Sequence, residues 1–216
     1  MPIGLSQSEI GNELDKPETV MNEEYKVPGE ADLRSALKAI LLAKHAKEPD
    51  TVVCEELGIC RGHVRVDLAI VNGILHGYEI KSDRDSLRRL SRQVDYYGRV
   101  FDRATLVVGE RHMSDALDRL PEWWGVMSAY PASGSLRFKT VRPGRRNPAK
   151  DPRSLVELLW LKDALALLES RSVVRGARGK PRQLIWDRIC EHFNIHEITE
   201  AVLCQLKARA TPKDPA

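Results

Sequence analysis

The chain has 216 residues, of which 42% are hydrophobic, so it can form one domain of ordinary size with an appendage or two small domains. Its 34 basic and 31 acidic residues leave a net charge of +3, which by itself gives little indication of a nucleic-acid partner. The N-terminus lacks a signal peptide and no segment approaches the roughly 18 apolar residues of a membrane span, so we expect a cytoplasmic protein without a membrane partner. The four cysteines form no C-x-x-C pair, which argues against a zinc ribbon or a disulfide framework.

The N-terminal part is predicted to contain a loose arm, one helix and one strand. Residues 1–28 are polar, lack periodicity and contain three prolines, which indicates an arm without regular structure. Residues 29–44 repeat leucine and isoleucine at helical spacing, so they predict an amphipathic helix that packs on a sheet. Residues 51–57 predict the first strand.

A β-hairpin follows in the chain. Residues 65–71 and 74–82 are rich in β-branched and apolar residues, and Asn72-Gly73 between them is a strong hairpin signal. Glu79 and Lys81 lie two positions apart on the second strand and therefore project from the same face. These runs predict two antiparallel strands that carry charged side chains among apolar ones.

The position of Asp67 relative to Glu79 depends on the length of the hairpin turn. A two-residue turn pairs Asp67 with Tyr78 and directs the two carboxylates to opposite faces. A three-residue turn, or a bulge at Gly77, adds the one residue that brings Asp67 opposite Glu79. A site that uses both carboxylates therefore requires one of these two irregularities.

A helix is expected to leave the second strand at once. Residues 82–85 have the S-x-x-D form of a capping box, and leucines follow at helical spacing. Ser86, Leu90, Gln93 and Tyr97 fall on one stripe of this helix, so Gln93 and Tyr97 can face the strand pair.

The following elements predict a mixed sheet. Residues 104–109 are a short apolar run, and the strand-helix-strand order that leads to it predicts a crossover between parallel strands. Residues 114–120 predict a short helix, and residues 125–130 and 136–141 predict two edge strands.

The rest of the chain is predicted to be helical. Residues 142–153 contain three prolines and several basic residues, which indicates a linker. Helical periodicity then returns at residues 154–169, 183–193 and 196–209. The predicted divisions are an arm at 1–28, a core at 29–141, a basic linker at 142–153, a helical subdomain at 154–209 and a tail at 210–216.

Two carboxylates and a lysine on this hairpin suit hydrolysis of phosphodiesters. Mg²⁺ or Mn²⁺ prefers oxygen ligands, and one or two protein carboxylates with substrate phosphate oxygens are a usual set. A neighbouring lysine can orient water and offset the charge that develops on phosphate. The alternative is a solvated ion-pair cluster, but three charges on the inner face of an apolar hairpin are costly without a metal or substrate.

The pattern Asp67, Glu79-Ile80-Lys81 and Gln93-x-x-x-Tyr97 resembles the signature of the PD-(D/E)XK, or restriction-endonuclease-like, nuclease superfamily. The resemblance covers residues 30–141, and it departs from the signature where Val66 replaces the proline. It implies an α/β fold with a mixed sheet flanked by helices and a central hairpin that carries the metal ligands. It also implies Asp67, Glu79 and Ile80 as metal-binding positions and Lys81, Gln93 and Tyr97 as further catalytic residues.

Other side chains are candidates to complete the site. Members of such nuclease families often add an acid from the first helix, for which Glu30 and Asp32 are candidates and Glu56 on the preceding strand competes. The alternative for the arginines near the motif is a solvated helix surface, but some lie beside the proposed site and are expected to contact DNA phosphates. The predicted DNA-binding residues are Arg65, Arg84, Arg88, Arg89 and Arg92.

The resemblance implies a Mg²⁺- or Mn²⁺-dependent endonuclease acting on DNA in repair, recombination or a mobile-element or phage context. One alternative is a DNA-binding accessory module with little or no catalysis. Another is a structural or regulatory partner in a mobile-element or phage complex. The form of DNA that is cut stays open because base-reading side chains are not identifiable, and paired cuts would favour a homodimer.

Overall fold

The computed structural model describes residues 27–132 and 134–210, which form one six-stranded mixed sheet flanked by helices. This α/β architecture agrees with the prediction, whereas nearly all of the predicted arm and tail lie outside the described residues. In chain order the elements are α1 (Glu30–Lys44), β1 (Val52–Ile59), β2 (Val64–Val71), β3 (Leu75–Lys81), α2 (Leu90–Val100), β4 (Arg103–Gly109), α3 (Met113–Arg119), β5 (Gly125–Ala132), β6 (Ser135–Arg142), α4 (Pro152–Val156), α5 (Leu161–Ser170), α6 (Arg182–His192) and α7 (Ile195–Ala210).

The strands follow their chain order across the sheet, from β1 at one edge to β6 at the other. Strands β1, β2 and β3 pair antiparallel, β3, β4 and β5 pair parallel, and β6 returns antiparallel to β5. The predicted parallel crossover from β3 through α2 to β4 is therefore confirmed. The prediction of an edge strand at 125–130 is wrong, because β5 is paired on both sides and β6 alone occupies that edge.

The hairpin between β2 and β3 has a three-residue turn. Val71 pairs with Leu75, which leaves Asn72, Gly73 and Ile74 in the turn. The Asn72 N–H donates to the Ile74 carbonyl at 3.2 Å, and Gly73 takes a φ of 94° that favours glycine. Of the alternatives left by the sequence, the two-residue turn is wrong and the three-residue turn is present. Leu68 consequently pairs with Tyr78 in the last pair of this ladder, and Asp67 and Glu79 are the next residues of the two strands.

The helix after β3 begins later than predicted. The Asp85 carboxylate accepts the Ser82 N–H at 2.7 Å and the Ser82 hydroxyl at 2.6 Å, but these bonds close a turn rather than open a helix. Asp83 accepts the Arg111 N–H at 3.0 Å, which ties this loop to the end of β4. Because Asp83 is held by another element, the chain forms this turn first, and a short 3₁₀ segment at 87–89 and then α2 follow it.

Two hydrophobic cores cover the faces of the sheet. The smaller one packs Leu33, Leu37 and Leu41 of α1 against β2 and β3, as predicted for the first helix. The larger one buries α2 and the C-terminal helices on the other face, with Tyr97 and Trp124 fully buried at its centre. Since β3 runs between the two cores, its side chains are shielded from water on both faces of the sheet.

Residues 152–210 contain four helices instead of the three predicted. The expected helix at 154–169 is divided into α4 and α5, because the Leu158 and Leu159 N–H groups close a tight turn and Trp160 is extended. Helices α6 and α7 match the other two predictions. Side chains from all four helices belong to the larger core, and the division of the chain into a nuclease-like core and a helical subdomain stays a prediction. Within residues 27–132 and 134–210, no helix combines the length and apolar composition that crossing a bilayer requires.

Hydrogen bonds and an ion pair hold the basic segment at 142–153 against the turn between α2 and β4. The Asp102 carboxylate accepts the Leu75 N–H at 2.9 Å and pairs with Lys150 Nζ at 2.6 Å. Lys150 also donates to the Thr199 hydroxyl of α7 at 3.0 Å. Asn147 donates its side-chain amide to carbonyls at the same turn at 2.7 and 2.8 Å. This buried ion pair joins the start of β3, the linker and the last helix.

Replacing Asp102 with alanine should lower the free energy of unfolding by about 3–5 kcal/mol, because it leaves a buried ammonium and a buried N–H without their partner. The side chains of the pair are only 6% and 11% exposed. Urea denaturation followed by circular dichroism measures the loss. The matched control is Glu122→Ala, whose side chain is 92% exposed and whose removal should change stability by less than about 0.5 kcal/mol. Equal stability of the two variants would contradict this role for Asp102.

Candidate active site

A cavity of about 250 Å³ opens beside the C-terminal end of β3 and collects most of the predicted site residues. It is a polar and strongly charged space, unlike the apolar interior on either side of the sheet. It lies between the hairpin, the first turn of α1 and the start of α2. Its lining residues are Glu30, His63, Val64, Arg65, Asp67, Glu79, Lys81, Arg89, Arg92 and Gln93.

The Glu79 carboxylate is the centre of the hydrogen-bond network in this cavity. Its Oε1 accepts from Lys81 Nζ and from Gln93 Nε2, and its Oε2 accepts the Tyr97 hydroxyl at 2.7 Å. Glu79 is 1% exposed and Lys81 is 5% exposed, so the ion pair between them is buried. The helical stripe predicted from the sequence thus brings Gln93 and Tyr97 onto one carboxylate.

Asp67 lies across from Glu79 on the neighbouring strand. Its Oδ2 accepts the Ile80 N–H at 2.7 Å, a group that would otherwise extend the backbone ladder between β2 and β3. Burial, and next the negative charge of Glu79, raise the pKa of Asp67 to about 7. The charge of Glu30 is a smaller contribution to the same increase in pKa. The two carboxylates therefore share a confined space in which a second negative charge is costly.

At Asp67 and at the position opposite it, strands β2 and β1 reverse which of their alternate side chains face the larger core. Ala69 and Val71 of β2 face the larger core, yet so do Val64 and Val66, which simple alternation would direct to the other face. Opposite this point, the register between β1 and β2 runs through Glu55 and Leu57 but omits Glu56, whose φ is 51°. Such irregularities redirect side chains next to functional sites. Here the break lies at the carboxylate-bearing position itself.

Of the three candidates for an additional acid, Glu30 is the one that lines the cavity. Asp32 instead accepts the Gly29 N–H at 2.9 Å and caps α1. Glu56 accepts from Arg34 at 2.8 Å and lies 3.6 Å from an Arg65 nitrogen, outside the cavity lining. Glu30 is therefore the candidate that lines the cavity together with Asp67 and Glu79.

The remaining predicted residues divide between the cavity and the outer surface. Arg65, Arg89 and Arg92 line the cavity, whereas Arg84 and Arg88 are exposed on the loop and 3₁₀ segment above it. The Ile80 side chain is fully buried in the smaller core, so only its backbone can take part. Its carbonyl accepts from Lys81 Nζ at 3.3 Å.

Two residues at the site are absent from the predicted set. His63 lines the cavity four positions before Asp67, on a turn whose shape the sequence does not reveal. Arg34 bonds Glu56 at 2.8 Å and Glu30 at 3.4 Å, so it orients the carboxylate that the cavity takes in. The spacing of Glu30 and Arg34, four apart on one helix, is the signal that could have identified the second residue.

The donor set fits a hydrated divalent cation. In the part of the chain that the structure describes, no group of three or more His, Cys, Asp or Glu side chains is arranged to hold a metal. Asp67 and Glu79 supply two carboxylates, which is the number that Mg²⁺ usually takes together with waters. Gln93 Oε1 is buried and has no hydrogen-bond partner among the described residues, so a water on the cation could donate to it.

Comparison with known proteins adds a family and a partial relative. The family model described as Bacteriophage P4 protein cII matches residues 24–214. Protein cII of Enterobacteria phage P4 is 35% identical over 104 residues, which cover 48% of this chain but only 39% of that protein. A solved structure of a protein of unknown function from Silicibacter pomeroyi aligns with a TM-score of 0.41 and 19% identity, over 72% of this chain and 97% of that one.

Because the Asp67 and Glu79 carboxylates share a confined space, we predict that Asp67→Asn stabilises the metal-free protein. The pKa of Asp67 lies near 7 in the folded state and near 3.8 when unperturbed, so ionisation costs folding energy as the pH rises between these values. We expect the variant to match wild type near pH 4 and to exceed it by about 1–3 kcal/mol above pH 7. Urea denaturation in EDTA across this range measures the difference.

The same pair of proteins tests the cation site. Mg²⁺ should raise the thermal midpoint of wild type and have a smaller effect on Asp67→Asn, because binding to the folded state stabilises it. Asn can still accept the Ile80 N–H, so the variant isolates the charge. A variant that is no more stable than wild type at pH 8, or that responds equally to Mg²⁺, would contradict this assignment.

Proposed function

We propose that this chain, which belongs to the bacteriophage P4 protein cII family, is a Mg²⁺- or Mn²⁺-dependent endonuclease of the PD-(D/E)XK, restriction-endonuclease-like type that hydrolyses DNA. The observation that carries the proposal is the buried Glu79 carboxylate, which lies opposite Asp67 and is bonded by Lys81, Gln93 and Tyr97. The family is described from a phage protein, so a phage or other mobile-element context is part of the proposal, beside DNA repair or recombination.

Asp67 and Glu79 would hold the cation, with the Ile80 carbonyl beside them and Glu30 as the additional acid. A bound Mg²⁺ or Mn²⁺ would acidify water and draw charge from a phosphate oxygen. The protein itself supplies the rest of the chemistry. Because the two carboxylates already repel each other, they favour a divalent cation over an empty state at neutral pH.

Lys81 would orient the attacking water and offset charge on the phosphate. Its ammonium has three donors, of which Glu79 and the Ile80 carbonyl take two in this structure. The third can meet a water or a phosphate oxygen in the cavity, which Lys81 lines. Its burial strengthens these electrostatic contacts because little solvent screens them.

Gln93 and Tyr97 would act as positioning residues that fix the Glu79 carboxylate. Each donates to a different oxygen of that group, so the carboxylate cannot rotate freely. Burial and the nearby charges of Glu79 and Asp67 raise the pKa of Tyr97 well above its usual value. The phenol therefore stays protonated at neutral pH and remains a donor to Glu79.

The arginines at the cavity rim would hold the DNA backbone. Arg65, Arg89 and Arg92 line the cavity, and exposed Arg84 and Arg88 extend this basic surface, so they would contact phosphates that flank the scissile one. Their charge attracts any sequence of DNA, so they support binding without base specificity. The mixed sheet, with its carboxylates on a central hairpin, supports the restriction-endonuclease-like part of the proposal. A homodimer would supply two such sites for paired cuts.

The test is cleavage of supercoiled, linear, single-stranded and branched DNA in Mg²⁺, in Mn²⁺ and in EDTA. Lys81→Ala and Asp67→Ala should each lower the rate by about 10²–10⁴-fold, because each removes a group that acts on the reacting phosphate. The matched control is Lys139→Ala, an exposed lysine on β6 at the far edge of the sheet, which should cut at the wild-type rate.

Three outcomes would contradict the endonuclease. Equal traces of cutting by wild type and both site variants would indicate a contaminating nuclease. Metal-independent DNA binding without cleavage would favour the accessory binding module instead. Absence of both binding and cleavage would favour a structural partner in a phage or mobile-element complex.

A further inference from the structure

We propose that His63 donates the proton to the leaving oxygen when this site cleaves a phosphodiester, a role that rests on the proposed function. His63 lines the same cavity as Asp67, Glu79 and Lys81, and its side chain is exposed to solvent. Among the residues that line the cavity, His63 is the one with an imidazole, a group that can carry and release a proton near neutral pH. The carboxylates and lysine of the site leave the departing alkoxide without a dedicated donor.

An unusual turn presents His63 to the cavity. Cys60, Arg61 and Gly62 all have left-handed backbones, with φ of 48°, 59° and 82°. For the two residues with side chains this conformation costs about 1–2 kcal/mol each. The turn is held because Cys60 is buried and its carbonyl accepts the His63 N–H at 3.2 Å. Such strained backbones cluster at functional sites, and here the strained residues lead directly to the histidine.

The surroundings of His63 suit a phosphate group. Its ring lies 6.1 Å from that of Tyr96 on α2, and the Arg92 guanidinium lies 5.5 Å from the same tyrosine ring. Arg92 also lines the cavity. His63 and Arg92 thus both lie beside Tyr96 and both line the cavity that would receive the phosphate.

The groups proposed to act on the attacking oxygen and on the leaving oxygen differ in their exposure to solvent. In phosphoryl transfer the attacking and leaving oxygens lie roughly in line on opposite sides of phosphorus. Lys81 and Glu79 are buried at the inner wall, where water is positioned, whereas His63 is exposed at the rim. An exposed donor on a different element from Lys81 and Glu79 can therefore reach the leaving oxygen on the side opposite the attacking water.

The step balances without any further reactant. The water oxygen forms a bond to phosphorus as the bond from phosphorus to the leaving oxygen breaks. The leaving oxygen keeps the electron pair of that bond and takes the proton from the imidazolium of His63. The water proton passes to solvent, and the neutral imidazole regains a proton from solvent. The products are a phosphomonoester and an alcohol, with no change of oxidation state.

The test compares oligonucleotides with oxygen or sulfur at the leaving position of a mapped cleavage site. A thiolate leaves without protonation because thiols are far more acidic than alcohols. In Mn²⁺, His63→Ala should cut the oxygen substrate about 10²–10⁴-fold more slowly than wild type but the sulfur substrate within a few fold of it. Lys81→Ala should be slow on both. His196→Ala, whose side chain is 78% exposed on α7, is the matched control and should behave as wild type on both.

The outcomes separate the two proposals. Equal slowing of His63→Ala on both substrates, or no slowing on either, would overturn the proton-donor role while leaving the endonuclease intact. A wild-type protein that cuts no DNA would overturn the endonuclease and the role of His63 with it. Thermal unfolding of His63→Ala should match wild type, since the exposed imidazole contributes little packing.

Discussion

The carboxylate of Glu79 is the contact on which the arrangement of the cavity depends. It joins a strand to a helix by accepting from Lys81 on β3 and from Gln93 and Tyr97 on α2. A buried carboxylate is stable only when its lone pairs are satisfied, so these donors are a condition of the fold as well as of the site. The position of α2 on the sheet is therefore coupled to the chemistry of the cavity.

The reversal of side-chain alternation at Asp67 shows how the hairpin serves a site and a core together. A regular β2 would place its side chains in strict alternation, and the large core would then lose contacts on one side of Asp67. The left-handed Glu56 on β1 lets both halves of β2 contact that core. Asp67 keeps the position opposite Glu79, and its carboxylate takes over the Ile80 N–H that the ladder gives up. The Asp67 carboxylate thus supplies an acceptor for that N–H where the backbone pairing between β2 and β3 ends.

Local patterns were sufficient to predict some parts of this structure but not others. The convergence of Gln93 and Tyr97 on the hairpin follows from helical spacing, and the parallel β4 follows from crossover rules. The turn length could not be chosen, because Asn72-Gly73 suits both a two-residue turn and the three-residue turn found. The late start of α2 depends on Asp83 bonding Arg111, a contact 28 positions away. The position of His63 at the cavity depends on three residues with left-handed backbones, and two of these are residue types that rarely adopt that conformation.

The buried link from Asp102 through Lys150 to Thr199 has a consequence for the dynamics of the molecule. It connects the first residue of β3, the linker and α7, which are distant in sequence. Segments joined through buried polar contacts tend to open as one cooperative unit. We therefore expect the amide protons of β3 and α7 to exchange with solvent at similar slow rates. The last helix would then contribute to the rigidity of the strand that carries Glu79, although it lies outside the cavity.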